Sequence, residues 1–359
     1  MKYIKSALML AVIALFLVAC DSGNSGGNGQ STPGAEAPVN GFGVSSNHVH
    51  SFLVLPSHAL LLATHYGIYR SQDGGATWQL VAGGPGQLME DLMEYGMTAS
   101  SLNPQRLFVL TRPSAVPTKG ISGLYTSADG GLTWKLSIAD STISTGYPYT
   151  AEAGNDTPDE VYIYQSELGN LGLKRSLDDG QHFSTAGTLP FGSIFGILAL
   201  PDEPGHLIVY GSQGIARTTD GGIHWQVVSG ITGGVQEMTI AAAHQPIYAA
   251  GDAGVYTSTD DGKTFKLVYD QHPYYSLAVT TQNPQLLYGK TGTNLYRSSD
   301  GGHSWTALPH LSGGTFSVLV VVPNTPSEIY ASLSYPTELY RLNASDTGWT
   351  SLTPPAKQG

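Results

Sequence analysis

A short pattern that returns along the chain, the last time in eroded form, restricts what it can fold into more than any other feature. The first copy reads Gly67-Ile68-Tyr69-Arg70-Ser71-Gln72-Asp73-Gly74-Gly75-Ala76-Thr77-Trp78, an apolar pair running into Ser, Asp, Gly and an aromatic. The core recurs as Ser127 to Trp134, Ser176 to Phe183, Thr218 to Trp225, Ser258 to Phe265 and Ser298 to Trp305. The leading Ser or Thr residues lie 56, 49, 42, 40 and 40 residues apart. A seventh copy keeps only Leu339-Tyr340-Arg341-Leu342 and then Ser345-Asp346-Thr347-Gly348-Trp349. A period near 40 calls for like units packed on one another, because one such unit cannot bury its own apolar face.

The residue types account for the unit. The carboxylates of Asp73, Asp129, Asp178, Asp220, Asp260 and Asp300 can accept hydrogen bonds from the backbone of a tight turn, and the glycines supply its positive-φ positions. Trp78, Trp134, Phe183, Trp225, Phe265 and Trp305 give each hairpin an apolar anchor. Both sets are therefore read as structural. Two more strand-like runs precede each turn, as in Phe195 to Leu200 with His206 to Gly211, or Phe316 to Val322 with Glu328 to Leu333. Each unit then has four strands, A to D, with A innermost. The prediction is an all-β, seven-bladed β-propeller of four-stranded blades, with six blades and an irregular segment as the alternative. Strands counted from His48 give blade 1 all four of its own.

The N-terminus bears on the compartment. Lys2 and Lys5 precede an apolar run from Ala7 to Val18, and Leu17-Val18-Ala19-Cys20 reads as a lipobox. Residues 1–19 are expected to be a lipoprotein signal peptide, with Cys20 lipidated. Residues 20–39 are then a Gly-, Ser-, Asn- and Pro-rich tether, and residues 40–356 the propeller. Cys20 is the single cysteine, so no internal disulfide can form. Loss of the signal removes two lysines and leaves 14 basic against 27 acidic side chains. That balance argues against nucleic acid as a partner, which needs a basic face to neutralise phosphates.

Alternating strand direction puts the A–B and C–D turns on one face and the D–A and B–C loops on the other. The repeated C–D turns mark the bottom. Long stretches at Ala82 to Glu94, Pro113 to Ser122 and Ala139 to Asp159 fall on the top, around blades 1 to 3. His48 and His50 stand two apart on the first innermost strand and His65 ends strand B of the same blade, so three imidazoles approach the channel mouth. They can serve as hydrogen-bonding side chains or hold a divalent metal, the one cofactor the sequence suggests. Glu90, Asp91 and Glu94 in the adjoining loop are candidates to complete that site or to act as acid and base, or are simply solvated. Tyr147, Tyr149, Tyr274 and Tyr275 are expected in top loops, exposed for stacking on sugar rings.

The repeat S-x-D-x-G-x-T-W/F resembles the Asp box of BNR-type repeats. His48-Val49-His50-Ser51 through Ala63-Thr64-His65-Tyr66-Gly67 resembles the opening of exported proteins labelled F510_1955 family glycosylhydrolase. Ser51 replaces a glycine of that family, and Tyr95-Gly96-Met97-Thr98 stands near its later M-G-F segment. Nothing matches its G-H-P; Arg112-Pro113 lies near that place. The resemblance implies a glycosidase, although that label rests on the repeats. Sialidases also carry Asp boxes but need three arginines on one carboxylate, and five of the seven arginines here precede the repeated turn. A sialidase is therefore not expected. Photosystem II assembly factors of the Ycf48 type look similar in fold but work through a basic surface. Three readings follow: a lipoprotein binding protein or glycan through its top face, a glycosidase using top-face carboxylates, or a metal-dependent protein built on His48, His50 and His65. The strands taken as innermost are mainly apolar, as in Ile197-Leu198-Ala199 and Leu319-Val320-Val321, which weighs against the glycosidase.

Overall fold

The computed structural model describes residues 47–352 except 115–117, 144–149, 272–273, 275, 281, 292–293, 312–314, 322–328, 335–337 and 344–346, and no side chains for 315–321 and 334. Cys20 and the tether, Tyr147, Tyr149, Tyr275, Ser345 and Asp346 lie outside the described residues. Seven antiparallel sheets of four strands follow one another, each in simple up-and-down order, which decides for seven blades over six. Blade 1 runs Val49–Val54, Leu60–Thr64, Gly67–Ser71 and Gln79–Ala82, and blade 7 runs Thr315–Val321, Ile329–Ser334, Glu338–Leu342 and Trp349–Ser351. Among the described residues, no blade borrows a strand from the other end of the chain.

The strands differ because their surroundings differ. Strand B is buried on both faces and reads as an almost continuous apolar run, as in Leu60–Thr64, Leu207–Gly211 and Ile247–Gly251. Strand D is short and exposed, as in Ser184–Thr185, Gln226–Val227 and Thr306–Ala307. Seven apolar clusters fill the seven gaps between neighbouring sheets. The ring closes through one of them, where Phe52 of blade 1 meets Tyr330 of blade 7 edge-on at 5.7 Å. Among the described residues, closure thus rests on side-chain burial, with no shared hydrogen-bond ladder.

The repeated turn ties this ring together. Ser127 Oγ donates to Asp129 Oδ1 and accepts from the Gly131 N–H, while Asp129 accepts from the Thr133 N–H and hydroxyl. The same bonds recur at Asp73, Asp260 and Asp300, and His182 and His224 take the Thr place against Asp178 and Asp220. The residue just before the turn's leading position, Ser71, Ser176 or in the eroded copy Leu342, reaches the next blade. Arg70 Nε donates to Gly130 O at 2.9 Å, Arg175 packs on Gly221, and Arg341 of blade 7 packs on Gly74 of blade 1. The A–B turn joins on the same face, since the Gly130, Gly221 and Gly301 N–H groups donate to Gln105, Gly205 and Gln285 carbonyls. The bottom is therefore a hydrogen-bonded rim, and the top is left to loops.

Several expectations are corrected. The stretch from Ala139 to Asp159 is not one loop: it contains strand A of blade 3, Thr150–Ala153, and its end is a bottom A–B turn. Glu94 is not in a loop either. It lies within strand A of blade 2, Leu92–Ala99, and is wholly buried. Tyr274 is buried rather than exposed, stacked on Trp305 at 4.6 Å, because its ring fills the space beside Gly289.

Candidate functional site

The top of blades 1 and 2 is shaped by two matching irregularities. Strand A of blade 1 carries an extra residue between Val49 and Ser51, and strand A of blade 2 one between Glu94 and Gly96. The extra residues are His50 and Tyr95. A bulge breaks the strict alternation of a strand and re-aims a side chain. Here the two bulged rings meet across the blade boundary, stacked with centroids 4.6 Å apart.

His48 and His65 complete the group. The His48 ring lies 4.3 Å from His50 and 5.0 Å from His65, and His50 to His65 is 6.1 Å. One ring nitrogen from each histidine falls within 4.8 Å of the others. The strand ends beneath are pinned, since the His65 N–H points to His48 O at 3.1 Å and to buried Asn47 Oδ1 at 3.2 Å. Burial, reinforced by His48, His65 and Arg112, pulls His50 down to about 3, and burial with His48 pulls His65 down to about 4. Both imidazoles are neutral at neutral pH. Arg112, ending strand B of blade 2, sits 4.5 Å above the Tyr95 ring, and Tyr66, 41 % exposed, stands edge-on to His65. The three predicted histidines are thus brought together, with Tyr95 and Arg112 added from the neighbouring blade.

The predicted carboxylates are not brought to them as a set. Glu90 accepts from Lys119 Nζ at 2.5 Å and from the Gly86 N–H at 2.9 Å, and the lysine holds its carboxyl below the usual range. The Asp91 carboxylate and carbonyl accept from Lys119 and Ser114 N–H groups. Both acids thereby bind the D–A loop to the B–C loop of blade 2. Between these loops opens a cleft of about 280 Å³, flanked by Leu88 and Ile121, which are 45 % and 58 % exposed. Glu94 lies against Gly67 and Gly83 of blade 1, where burial raises its carboxyl well above the normal range and favours the neutral form. Asp140, also buried, is pushed up to about 6 by burial, against the opposing pull of Ser122 and Arg112.

Two acids that sequence reasoning passed over line the ring's interior. Glu152, on strand A of blade 3, accepts from Thr98 of blade 2 at 3.4 Å and from the Ala199 N–H of blade 4 at 3.5 Å. Reaching the innermost strands on both sides places this carboxyl toward the axis. Glu237, on strand A of blade 5, faces Ser276 and Lys290 of blade 6, and both glutamates act on the charge of Tyr210 between them. Burial lifts each glutamate to about 7, with hydrogen bonds and Lys290 opposing. Glu152 was hidden by the reading of 139–159 as loop. Aligning the innermost strands of all seven repeats would have exposed both.

A raised carboxyl pKa makes the folded state bind more protons than the unfolded one. Its contribution to stability is present below the unfolded value near 4.5 and is lost as pH rises through about 7. A full shift corresponds to about 3 kcal/mol per group, and both side chains are only half-buried, so about 1–2 kcal/mol is expected. Glu152→Gln or Glu237→Gln should therefore stabilise the protein by that amount at pH 8 and leave it unchanged at pH 4.5. Urea unfolding at the two pH values reads this directly; equal effects at both would show that the carboxyl charge is not the cause.

Fold and site together define a seven-bladed β-propeller with a ring cluster at the channel mouth of blades 1 and 2. No family model matches the chain. A xyloglucanase of Hypocrea jecorina (strain QM6a) is 28 % identical over 211 residues, which cover 55 % of this chain and 24 % of that protein. The chain thus spans about a quarter of that relative's length. Among solved structures, a Niastella koreensis GH74 enzyme aligns with a TM-score of 0.68 and 15 % identity, over 84 % of this chain and 53 % of that one. YCF48 bound to a D1 peptide aligns at 0.58 and 15 % identity, over 82 % and 90 %. At such identities the structural likeness establishes the fold.

Proposed function

We propose that this chain is an exported lipoprotein, anchored through Cys20, whose propeller binds a polysaccharide with its top face. The observation that carries the reading is the run of rings at the mouth, Tyr66, His65, His48, His50 and Tyr95. Rings presented along a rigid rim match the apolar faces of successive sugars. The repeated turns are read as Asp boxes with a purely structural role. The xyloglucanase and GH74 likenesses support a glycan over a protein ligand, with YCF48 and its D1 peptide as the counterexample. The acidic balance of the mature chain disfavours nucleic acid, and the membrane is reached only through the lipid.

Binding of xyloglucan and other soluble glucans by the purified chain tests the proposal. Tyr66→Ala and Tyr95→Ala should each weaken it roughly five- to tenfold. Absence of glycan binding, or binding indifferent to both changes, rejects it. A second reading, a glycosidase, is favoured by Glu152 and Glu237, two interior carboxyls that exchange a proton near neutrality. It requires release of reducing ends that Glu152→Gln or Glu237→Gln abolishes while binding persists.

A further inference from the structure

We propose that His48, His50 and His65 form a site for one divalent transition metal ion of the zinc type, with its remaining position open to an anion or water beside Arg112. The site shares these three rings with the glycan reading but does not need a glycan to bind.

Geometry comes first. Three imidazoles each offer a nitrogen, and these lie within 4.8 Å of one another. Around a tetrahedral zinc with nitrogens at 2.0–2.1 Å, the nitrogens are about 3.4 Å apart. Closing the remaining gap takes small rotations of side chains whose backbones are already held by the bulge at His50 and the hydrogen bonds of His65. The donor set is all nitrogen, with no carboxylate in the group, which selects zinc, copper or nickel over calcium or magnesium. An ion-pair network would look different. The other histidine–acid group, Glu203, His244 and Asp261 on the bottom face, is one, with His244 Nδ1 3.3 Å and 3.5 Å from its two carboxylates. At the top, His50 Nε2 and His65 Nδ1 are buried with no hydrogen-bond partner among the described residues. A buried polar atom without a partner is costly, and a metal ion would satisfy both.

Arg112 determines what the metal would carry. Its guanidinium lies over Tyr95, whose ring stacks on His50, and it acts on the charge of His50. A fixed positive charge there favours an anionic fourth ligand, such as hydroxide or a carboxylate, over a neutral one.

The test uses the full chain, stripped with a chelator and titrated with Zn²⁺ by calorimetry and with Co²⁺ by visible absorption. One equivalent should bind, and Co²⁺ should show the intense d–d bands of a four- or five-coordinate site. Losing an outer-sphere partner of a metal site typically costs 10- to 100-fold in affinity, so His50→Ala and His65→Ala should each cost about 100-fold or more. His244→Ala should change nothing, and unfolding midpoints of the metal-free variants establish that each is folded. Less than a stoichiometric equivalent in the wild type, or binding that survives loss of both His50 and His65, overturns the proposal. Because no glycan is present in this titration, its failure leaves the glycan reading untouched, and the reverse also holds.

Discussion

Arg175→Ala is expected to cost about 3–5 kcal/mol, the largest effect of any single change considered. Arg175, on strand C of blade 3, donates from Nε to Glu160 Oε1 at 2.6 Å and pairs also with Asp156. Glu160 is fully buried at the start of strand B, and its other oxygen accepts from the Asp156 N–H at 2.7 Å. The guanidinium also lies 5.7 Å from the Tyr162 ring and packs on Gly221 of blade 4. Removing it leaves a buried carboxylate with its charge uncompensated and opens the boundary between two blades. Guanidinium unfolding of Arg175→Ala and of Arg175→Ala with Glu160→Gln would separate these losses. The double variant should recover much of the deficit, since the stranded charge is gone. A single-variant loss below 1 kcal/mol would mean that Glu160 finds water instead.

The second large effect is expected at Gly131, in the C–D turn of blade 2. Its φ of +82° disfavours any L side chain, and a Cβ would sit 2.2 Å from Leu61 Cδ2 of blade 1. Leu61 is fully buried in strand B and has no space into which to retreat. Backbone strain of about 1–2 kcal/mol and overpacking of about 1–3 kcal/mol combine, so Gly131→Ala should cost about 2–5 kcal/mol. Gly86 provides the control. Its φ is +73°, but nothing lies within 4 Å of its Cβ position, so Gly86→Ala should cost only the strain. Urea midpoints that fell equally for the two would show that the turn does not pack on the neighbouring blade as described.

The repeat was legible because each unit meets nearly the same surroundings. Tyr69, Tyr125 and Tyr256 fill equivalent gaps on strand C, and strands predicted at Phe195 to Leu200 and His206 to Gly211 are found at Gly196–Ala199 and Leu207–Gly211. The neighbourhood of the histidine cluster was legible too, since His48 and His65 end paired strands of one hairpin, although the bulge at His50 that aims its ring was not. Glu94 was misread because a lone Glu beside Glu90 and Asp91 looks like a solvated loop. Its burial depends on Gly83, beyond strand D of blade 1, leaving room for it. Tyr274 was misread for the same reason, since Gly289, Trp305, Tyr269 and Tyr296 together make its place.

By itself the sequence determined the periodic properties of this protein: the all-β repeat, four strands in each unit and the chemistry of the repeated turn. These follow from local hydrogen bonding and alternation, which depend on near neighbours along the chain. The structure decided for seven blades over six and moved the end of the Ala139–Asp159 stretch to the bottom face. The tertiary structure alone decided which groups meet across blades. The stacking of His50 on Tyr95 and the nearness of Glu152 and Glu237 to Tyr210 all join residues of different blades more than 25 positions apart. Ring closure and two single-residue bulges set those distances. A bulge leaves no mark in hydrophobic period until the partner strand is in place to show which residue goes unpaired.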